Sequence, residues 1–220
     1  MELGKQGVQC KMVSTIIFDL GGVYFTDGTR NTPTKFQSLF DIAEAKTKKV
    51  LSGELGMRYR MGLLSEGIFW KEAQAIFGTN LDFQKLRDAW FRGYRPIAGT
   101  VDLIKELKKQ GYEILYLSDN VRERVEYLDT KYGFMQHFDS GVFSYVAKTV
   151  KPDPEIYRLV LKCTHSEPFG CVFIDDKECF LDPARALGMH ATQFHDPLQV
   201  KDYLISLGVV FKQDKLFSRA

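Results

Sequence analysis

The chain has 220 residues, of which 45% are hydrophobic and 26% are charged, and its formal net charge is +2. This length holds one large domain, or one domain with a smaller insertion, and either would bury a real core. The net charge is too small to attract nucleic acid or an anionic membrane surface. We therefore expect a small-molecule or protein partner, with no nucleic acid and no membrane.

The N-terminus and the cysteines bear on the cellular compartment. No apolar run reaches the ~18 residues that span a bilayer, and Met1–Lys5 is followed by no apolar signal core. These patterns predict a cytoplasmic protein. The cysteines show no CxxC spacing, which favours buried thiols over zinc ligands or disulfides. They are Cys10, Cys163, Cys171 and Cys179.

The first predicted strand lies in the stretch Val13–Val23, an apolar and β-branched run that ends in Asp19 and two glycines. A continuous run of this kind is typical of a parallel strand that is buried on both faces. The strand would present Asp19 at its carboxyl end, which is where open α/β sheets bind their ligands.

The segment from Pro33 to Gly93 has no strand-like alternation and predicts a compact helical insertion. A first helix carries an amphipathic stripe of Phe36, Leu39, Phe40 and Ala43 and ends near Gly53. A second helix is capped by Ser65 and ends at Gly78, and a third is marked by Phe83, Leu86 and Trp90.

Helices and strands alternate after Thr100. The apolar runs Ile114–Leu117 and Cys171–Ile174 predict two more buried strands, separated by helices. A further helix is predicted near Val200–Leu207, followed by a short strand at Gly208–Phe211. Alternation of this kind predicts a doubly wound parallel sheet in an α/β fold.

Each of the three buried strands is followed by a polar group: Asp19, Ser118, and the pair Asp175–Asp176. Lys151 precedes a predicted helix start at Asp153–Pro154. Parallel strand ends meet at one edge of the sheet, and converging carboxylates require a cation, which favours Mg²⁺. A hydroxyl and an ammonium beside them suit a phosphate dianion, which leaves Asp19 free to act as a nucleophile. Taken singly, each residue also fits a helix cap, and Ser118 or Asp119 would then cap the helix at Val121.

Four ordered motifs resemble those of the haloacid dehalogenase superfamily. They are FDLGGV at 18–23, LSDN at 117–120, KPDPEIY at 151–157, and FIDD at 173–176 followed by PARALGM at 183–189. The resemblance runs from about Val13 to about Thr192. It implies a Rossmann-like core of residues 1–27 and 96–220, with a helical cap at 28–95. The dinucleotide pattern GxGxxG and the P-loop pattern are absent.

The resemblance also implies roles for individual residues. Asp19 would be the nucleophile that forms an aspartyl-phosphate, and Ser118 and Lys151 would hold the transferring phosphoryl group. Asp119 and Asn120 would contribute to substrate binding. Mg²⁺ would be held by Asp19, by the backbone carbonyl of Gly21, and by Asp175 or Asp176. A covalent carboxylate intermediate and a cation-stabilised phosphoryl group agree with the chemistry of these residue types.

Three positions depart from the family's pattern. Gly21 stands where phosphatases of the family usually carry a second aspartate, the general acid and base, whose contribution is roughly 10²–10⁴-fold. Asp119 and Phe180 each stand where the family often has asparagine. Asp119, Asp27 or a residue of the cap could supply the missing proton.

Specificity is expected in the cap, because a cap excludes water and contacts the leaving group. Candidates by residue type are Arg58, Tyr59, Arg60, Trp70 and Tyr94. The alternative for each is that the aromatic residues pack the cap and the arginines are solvated.

The leading hypothesis is a magnesium-dependent phosphatase, monomeric or homodimeric, that acts on a small phosphorylated metabolite. One alternative is a dehalogenase-type hydrolase in which Asp19 attacks carbon, although the acids Asp175 and Asp176 argue for a metal. Another alternative is a catalytically weak or non-catalytic binding protein, with Gly21 marking lost turnover.

Overall fold

The computed structural model describes residues 13–211, which form a five-stranded parallel sheet with helices on both faces. The strands are β1 (Thr15–Phe18), β2 (Glu113–Ser118), β3 (Ser140–Phe143), β4 (Cys171–Asp175) and β5 (His190–Gln193), in the spatial order β3-β2-β1-β4-β5. The prediction of a doubly wound parallel α/β fold is confirmed. Cys10 and the other residues outside 13–211 are not described.

Strand β1 is the centre of the sheet. Its Phe18 pairs with Tyr116 of β2 on one side and with Ile174 of β4 on the other. All four residues of β1 are buried, because helices cover both faces of the sheet. The sequence predicted β1, β2 and β4, whose apolar runs are confirmed as buried strands.

Five helices lie between β1 and the next helix of the core. They are α1 (Thr32–Phe40), α2 (Glu44–Ser52), α3 (Glu54–Arg60), α4 (Glu66–Phe77) and α5 (Phe83–Phe91). Their shared core is aromatic: the rings of Tyr59 and Phe69 stack with centroids 4.2 Å apart, and Trp70 and Trp90 meet edge to face. Ser65 caps α4 as predicted, and Gly78 ends it in the left-handed conformation.

The prediction of one helix from Phe36 to Gly53 is wrong, because the chain breaks between α1 and α2. Asp41 adopts the left-handed conformation with φ of 54°. Leu39, which was placed on the buried stripe, is 61% exposed. Ile42 is buried instead, so the break turns a new apolar face toward the core.

The remaining helices cover the two faces of the sheet. They are α6 (Ala98–Lys109), α7 (Arg122–Tyr132), α8 (Ser144–Ala147), α9 (Pro154–Leu161), α10 (Asp182–Ala186) and α11 (Pro197–Ser206), with short 3₁₀ helices at Phe134–His137, Pro168–Gly170 and Glu178–Phe180. Alternate residues of β1 point to opposite faces of the sheet. Ile17 belongs to the hydrophobic core that includes residues of α9, and Ile16 belongs to the core that includes residues of α6.

Two further predictions are wrong. Residues Gly208–Phe211 form no strand in the described chain; Val209 donates its N–H to Leu204 O, and Val210 donates to the Tyr112 hydroxyl. Of the cysteines within 13–211, Cys171 is buried as predicted, but Cys163 is half-buried and Cys179 is exposed. Strands β3 and β5 were not predicted. None of the described helices is long and apolar enough to cross a membrane.

Candidate active site

Three carboxylates meet at the carboxyl ends of β1 and β4. The backbone N–H of Asp19 donates to Ile174 O at 2.8 Å, which continues the parallel pairing one residue beyond β1. Asp175 is the last residue of β4 and is fully buried, and Asp19 is 6% exposed. Oxygen atoms of Asp19, Asp175 and Asp176 all lie within 4.8 Å of one another. The predicted convergence of these acids is present in the structure.

Lys151 lies between α8 and α9 and bridges two of the acids. Its Nζ donates to Asp19 Oδ1 at 2.8 Å and to Asp175 Oδ2 at 2.5 Å, and it also contacts Leu117 O at 3.3 Å. Burial alone would lower the pKa of Lys151, but the charges of Asp175 and Asp19 outweigh it and raise that pKa. The lysine is therefore a permanent cation within the cluster.

The acids carry more negative charge than Lys151 alone neutralises. Burial raises the pKa of Asp175. The charge of Lys151 partly offsets this increase, and the charge of Asp19 adds to it. Burial, and then the charge of Asp19, raise the pKa of Asp176. Asp176 Oδ1 is buried and has no hydrogen-bond partner among residues 13–211. A buried carboxylate oxygen without a donor, beside two further acids, fits a divalent cation with oxygen ligands.

Ser118, Asp119 and Asn120 follow β2 beside this cluster. Ser118 is 1% exposed. Asp119 Oδ1 accepts the backbone N–H of Lys151 at 3.2 Å, and burial raises the pKa of its carboxyl group. Asn120 Oδ1 accepts the N–H of Val121 at 3.0 Å. The alternative that Ser118 or Asp119 caps the helix is wrong, since the N-cap of α7 is Val121.

Gly21 leaves room for a side chain. A Cβ placed on Gly21 would meet only the Cε1 atom of Tyr94, at 3.9 Å, which is an ordinary van der Waals distance. The next glycine differs: Gly22 has φ of +95°, and a Cβ there would lie 2.6 Å from the Asp176 carboxylate. The position of the Gly21 carbonyl as a metal ligand stays a prediction.

A cavity of about 1110 Å³ opens beside Asp19 and is lined by both the core and the helical insertion. Of the predicted site residues, Asp19, Gly21, Asp119, Asn120 and Lys151 line it. Ser118, Asp175 and Asp176 are not part of its lining. Asp27, one of the alternative proton donors, also lines the cavity, and its Oδ1 accepts the backbone N–H of Thr29 and of Arg30.

The five candidates from the insertion divide into two groups. Arg60 and Tyr94 line the cavity. Tyr59 and Trp70 are buried in the aromatic core of the insertion, and Arg58 is not part of the cavity lining. For Tyr59 and Trp70, the packing alternative is therefore the one observed.

Arg124 of α7 lines the same cavity and was missed by the sequence analysis. It is 3% exposed; its Nε donates to Asn120 Oδ1 at 2.7 Å and its Nη1 to the Tyr94 hydroxyl at 2.8 Å. Its guanidinium lies 4.8 Å from the ring centroid of Trp90 and 4.5 Å from that of Tyr94. No sequence pattern marks it, because its aromatic partners Trp90 and Tyr94 are distant along the chain and it lies in a mostly polar helix.

Comparison with known proteins places this site in context. Residues 13–179 match the family model described as haloacid dehalogenase-like hydrolase. The chain is 30% identical over 152 residues to a protein of Dictyostelium discoideum, covering 67% of this chain and 65% of that protein's length. It is 25% identical over 192 residues to D-ribitol-5-phosphate phosphatase of Bacteroides thetaiotaomicron, covering 83% of this chain and 92% of the relative.

Solved structures share the fold. A predicted HAD-like family hydrolase from Porphyromonas gingivalis superposes with a TM-score of 0.72 at 22% identity, covering 88% of this chain and 98% of the other. The match to the family model covers most of the chain, with Asp19, Lys151 and the Asp175–Asp176 pair inside the matched region. The protein belongs to the haloacid dehalogenase-like hydrolase family.

Proposed function

We propose that the protein is a magnesium-dependent phosphatase that hydrolyses a small phosphorylated metabolite through an aspartyl-phosphate on Asp19. The observation that carries this proposal is the buried cluster in which Lys151 contacts both Asp19 and Asp175 while Asp176 Oδ1 lacks a donor. The names of two relatives support it: D-ribitol-5-phosphate phosphatase, and phosphorylated carbohydrates phosphatase of Thermotoga maritima. The second relative is 26% identical over 184 residues, which cover 80% of this chain and 82% of the relative.

The first chemical step is attack by an Asp19 carboxylate oxygen on phosphorus. The new bond joins this oxygen to phosphorus, and the bond between phosphorus and the leaving oxygen breaks. That oxygen departs as an alkoxide that takes a proton. Lys151 stabilises the charge on the phosphoryl oxygens, and Ser118 and Asn120 help to orient the group. In the second step water attacks the acyl phosphate, which releases inorganic phosphate and restores the Asp19 carboxylate.

Asp19, Asp175 and Asp176, with the carbonyl of Gly21, would hold the Mg²⁺. When bound, the ion supplies Lewis-acid stabilisation of the phosphoryl charge. In its absence, Lys151 is the cation that the structure offers to Asp19 and Asp175. The separation of 4.8 Å or less among the three carboxylates suits a shared divalent ion.

The site lacks an obvious donor of the proton that the leaving oxygen takes, because Gly21 carries no acidic side chain. Asp119 is the stronger of the two replacements: it lines the cavity, and burial raises the pKa of its carboxyl group, which favours the proton-bearing form. Asp27 lines the same cavity. A site with a distant acid favours substrates whose leaving group is already a weak base.

The helices of residues 28–95 act as a cap over this cavity in our proposal, with residues 1–27 and 96–220 as the core. Arg60 and Tyr94 contribute to the cavity lining from outside the core sheet. A cap in this position would exclude water and contact the leaving group.

The test is a phosphate-release screen over sugar phosphates, nucleotides and acyl phosphates, with Mg²⁺ or with EDTA, and with Asp19→Asn as the blank. A phosphatase requires release that is lost both in EDTA and in the variant. Release of halide from a haloacid in EDTA would instead identify a dehalogenase. Magnesium-dependent binding of a phosphate analogue with no turnover on any substrate would identify a binding protein.

A further inference from the structure

Besides Lys151, two arginines line the cavity, Arg124 and Arg60. Arg124 is almost fully buried. Its Nε and Nη1 atoms donate to neutral acceptors, the amide oxygen of Asn120 and the hydroxyl of Tyr94. It forms no ion pair with any carboxylate of residues 13–211. A buried charge of this kind is costly unless an opposite charge meets it.

Arg60 approaches the cavity from α3. Its Nη1 donates to Leu51 O at 2.7 Å, and like Arg124 it forms no ion pair within the described chain. Burial lowers the pKa of Arg60; the charge of Asp119 opposes this, and the charge of Arg124 reinforces it. Both guanidinium groups line the same cavity and carry charges of the same sign, so an anion bound between them would be stabilised by both.

Tyr94 separates Arg124 from the nucleophile. One edge of its ring faces Gly21, and its hydroxyl accepts from Arg124. The Arg124 guanidinium thus contacts the ring that borders Gly21, two residues after Asp19 along the chain. Thr29 bonds the same hydroxyl and also accepts from the Trp90 indole N–H, so the ring is held from several sides.

The charges around the cavity also favour an anionic ligand. Its lining includes six cationic and four anionic side chains, in addition to apolar residues. The cations are Arg30, Lys48, Arg60, Arg124, Lys151 and Lys177, and the anions are Asp19, Asp27, Glu54 and Asp119. The metal and Lys151 would account for one phosphate, which leaves the two arginines without an ion pair among residues 13–211.

We infer that Arg124 and Arg60 bind a second oxyanion of the substrate, so that the preferred substrate is a phosphate monoester with a carboxylate or a second phosphate at its far end. This inference rests on the proposed phosphatase function. Guanidinium groups suit both oxyanions, because their planar fork donates two parallel hydrogen bonds.

The test uses phenyl phosphates whose para substituent ends, after an alkyl spacer, in a carboxylate, a phosphate or a neutral carboxamide. The spacer keeps the leaving groups equally reactive, and varying its length measures the distance to the arginines. Wild-type enzyme with Mg²⁺ is expected to show a kcat/KM about tenfold or more higher for an anionic arm than for the carboxamide, mainly through KM. The arm with the larger ratio identifies the second group as carboxylate or phosphate.

Arg60→Gln and Arg124→Lys should each reduce that ratio, the first by removing a charge and the second by removing the planar fork. Arg58→Gln, on the same helix as Arg60 but outside the cavity lining, is the control and should keep the wild-type ratio. Equal losses for the anionic and neutral substrates would show that the arginines are structural and would overturn the inference.

The outcomes for the inference and for the phosphatase are distinguishable. Hydrolysis of all arms with equal kcat/KM by the wild type would keep the phosphatase and overturn the second anion site. If no arm is hydrolysed, the phosphatase fails, and calorimetric binding to Asp19→Asn tests the site alone. Tighter binding of an anionic arm than of the carboxamide would then support it, and equal binding would overturn it.

Discussion

Lys151 Nζ lies 2.5 Å from Asp175 Oδ2, inside a site where the lysine is 4% exposed and the aspartate is fully buried. The same ammonium lies 2.8 Å from Asp19 Oδ1. One buried cation thus holds the proposed nucleophile beside a proposed metal ligand, and the stability of the site depends on it.

Replacing Lys151 by Met should destabilise the metal-free protein by about 3–5 kcal/mol, because it leaves buried carboxylates without a cation. Magnesium should restore part of the loss by taking the place of the ammonium. Urea unfolding in EDTA and in Mg²⁺ measures both effects. Lys48→Met is the control: its side chain is 63% exposed and pairs with Glu44 at 3.3 Å, so it should change stability by less than about 1 kcal/mol. A Lys151→Met protein as stable as wild type in EDTA would contradict this picture.

Asp176→Asn should have opposite effects with and without metal. Its Oδ1 is buried without a hydrogen-bond donor, and the charge of Asp19 disfavours its ionised form. Neutralisation should therefore leave the melting temperature in EDTA unchanged or higher, while weakening Mg²⁺ binding by about 10–100-fold or more. Thermal melts across a magnesium titration check this, with Asp182→Asn, whose side chain is 80% exposed, as the control. An unaltered magnesium response in Asp176→Asn would remove it from the ligand set.

Gly21→Asp should increase turnover of substrates with poor leaving groups. A Cβ at Gly21 meets no close neighbour and the residue borders the cavity, so the added carboxyl group can supply the proton that an alkoxide needs. General acid catalysis contributes roughly 10²–10⁴-fold, so kcat for alkyl phosphates should rise by at least about tenfold, with little change for p-nitrophenyl phosphate. The matched control is Gly22→Asp, which should lose activity because its Cβ would contact the Asp176 carboxylate. A uniform loss in Gly21→Asp on both substrate types would show that the missing acid does not limit the enzyme.

His137 should make the fold sensitive to mild acid. Its Nδ1 lies 2.6 Å from the Tyr24 hydroxyl, and burial, followed by the charges of Lys105 and Lys108, lowers its pKa. Because the unfolded chain then binds the proton more readily, stability is fully present above the ordinary histidine pKa and falls as the pH drops below it. Urea midpoints between about pH 5 and 8 should decline more steeply for wild type than for His137→Gln. Replacing the exposed His195 by Gln should keep the wild-type slope; equal slopes in all three proteins would exclude His137 as a cause.

The central strands and their polar ends could be predicted from the sequence for a physical reason. A strand buried on both faces must be apolar throughout, so β1, β2 and β4 are visible as continuous runs. The polar residue that ends each run then marks the sheet edge. Asp19 and Asp175 were identified in this way, and Lys151 was identified by its place before a predicted helix start. In the structure Lys151 contacts both acids.

The edge strands lacked that signal. In β3 only Val142 and Phe143 are buried, and β5 is a polar run of four residues with only Ala191 buried. Both depend on pairing with β2 and β4 rather than on their own patterning. The short apolar run at 208–211 has the composition of a strand, but its N–H groups bond to α11 and to Tyr112 instead.

The break at Asp41 and the position of Arg124 depended on tertiary structure. The local sequence does not predict that Asp41 adopts the left-handed conformation. This conformation accompanies the burial of Ile42 in place of Leu39. Arg124 gains its role from Trp90 and Tyr94, which the fold brings to it from a distant part of the chain, and from Asn120, four residues before it.

A single-turnover reaction with Mg²⁺, stopped by rapid acid quench and followed by peptide mass mapping, tests directly whether Asp19 is the nucleophile. Wild-type enzyme should carry transient phosphate on Asp19, which decays as inorganic phosphate appears. Neither species should form in Asp19→Asn or in EDTA. Phosphate release by Asp19→Asn at the wild-type rate, or wild-type turnover in which Asp19 is never phosphorylated, would contradict this role of Asp19.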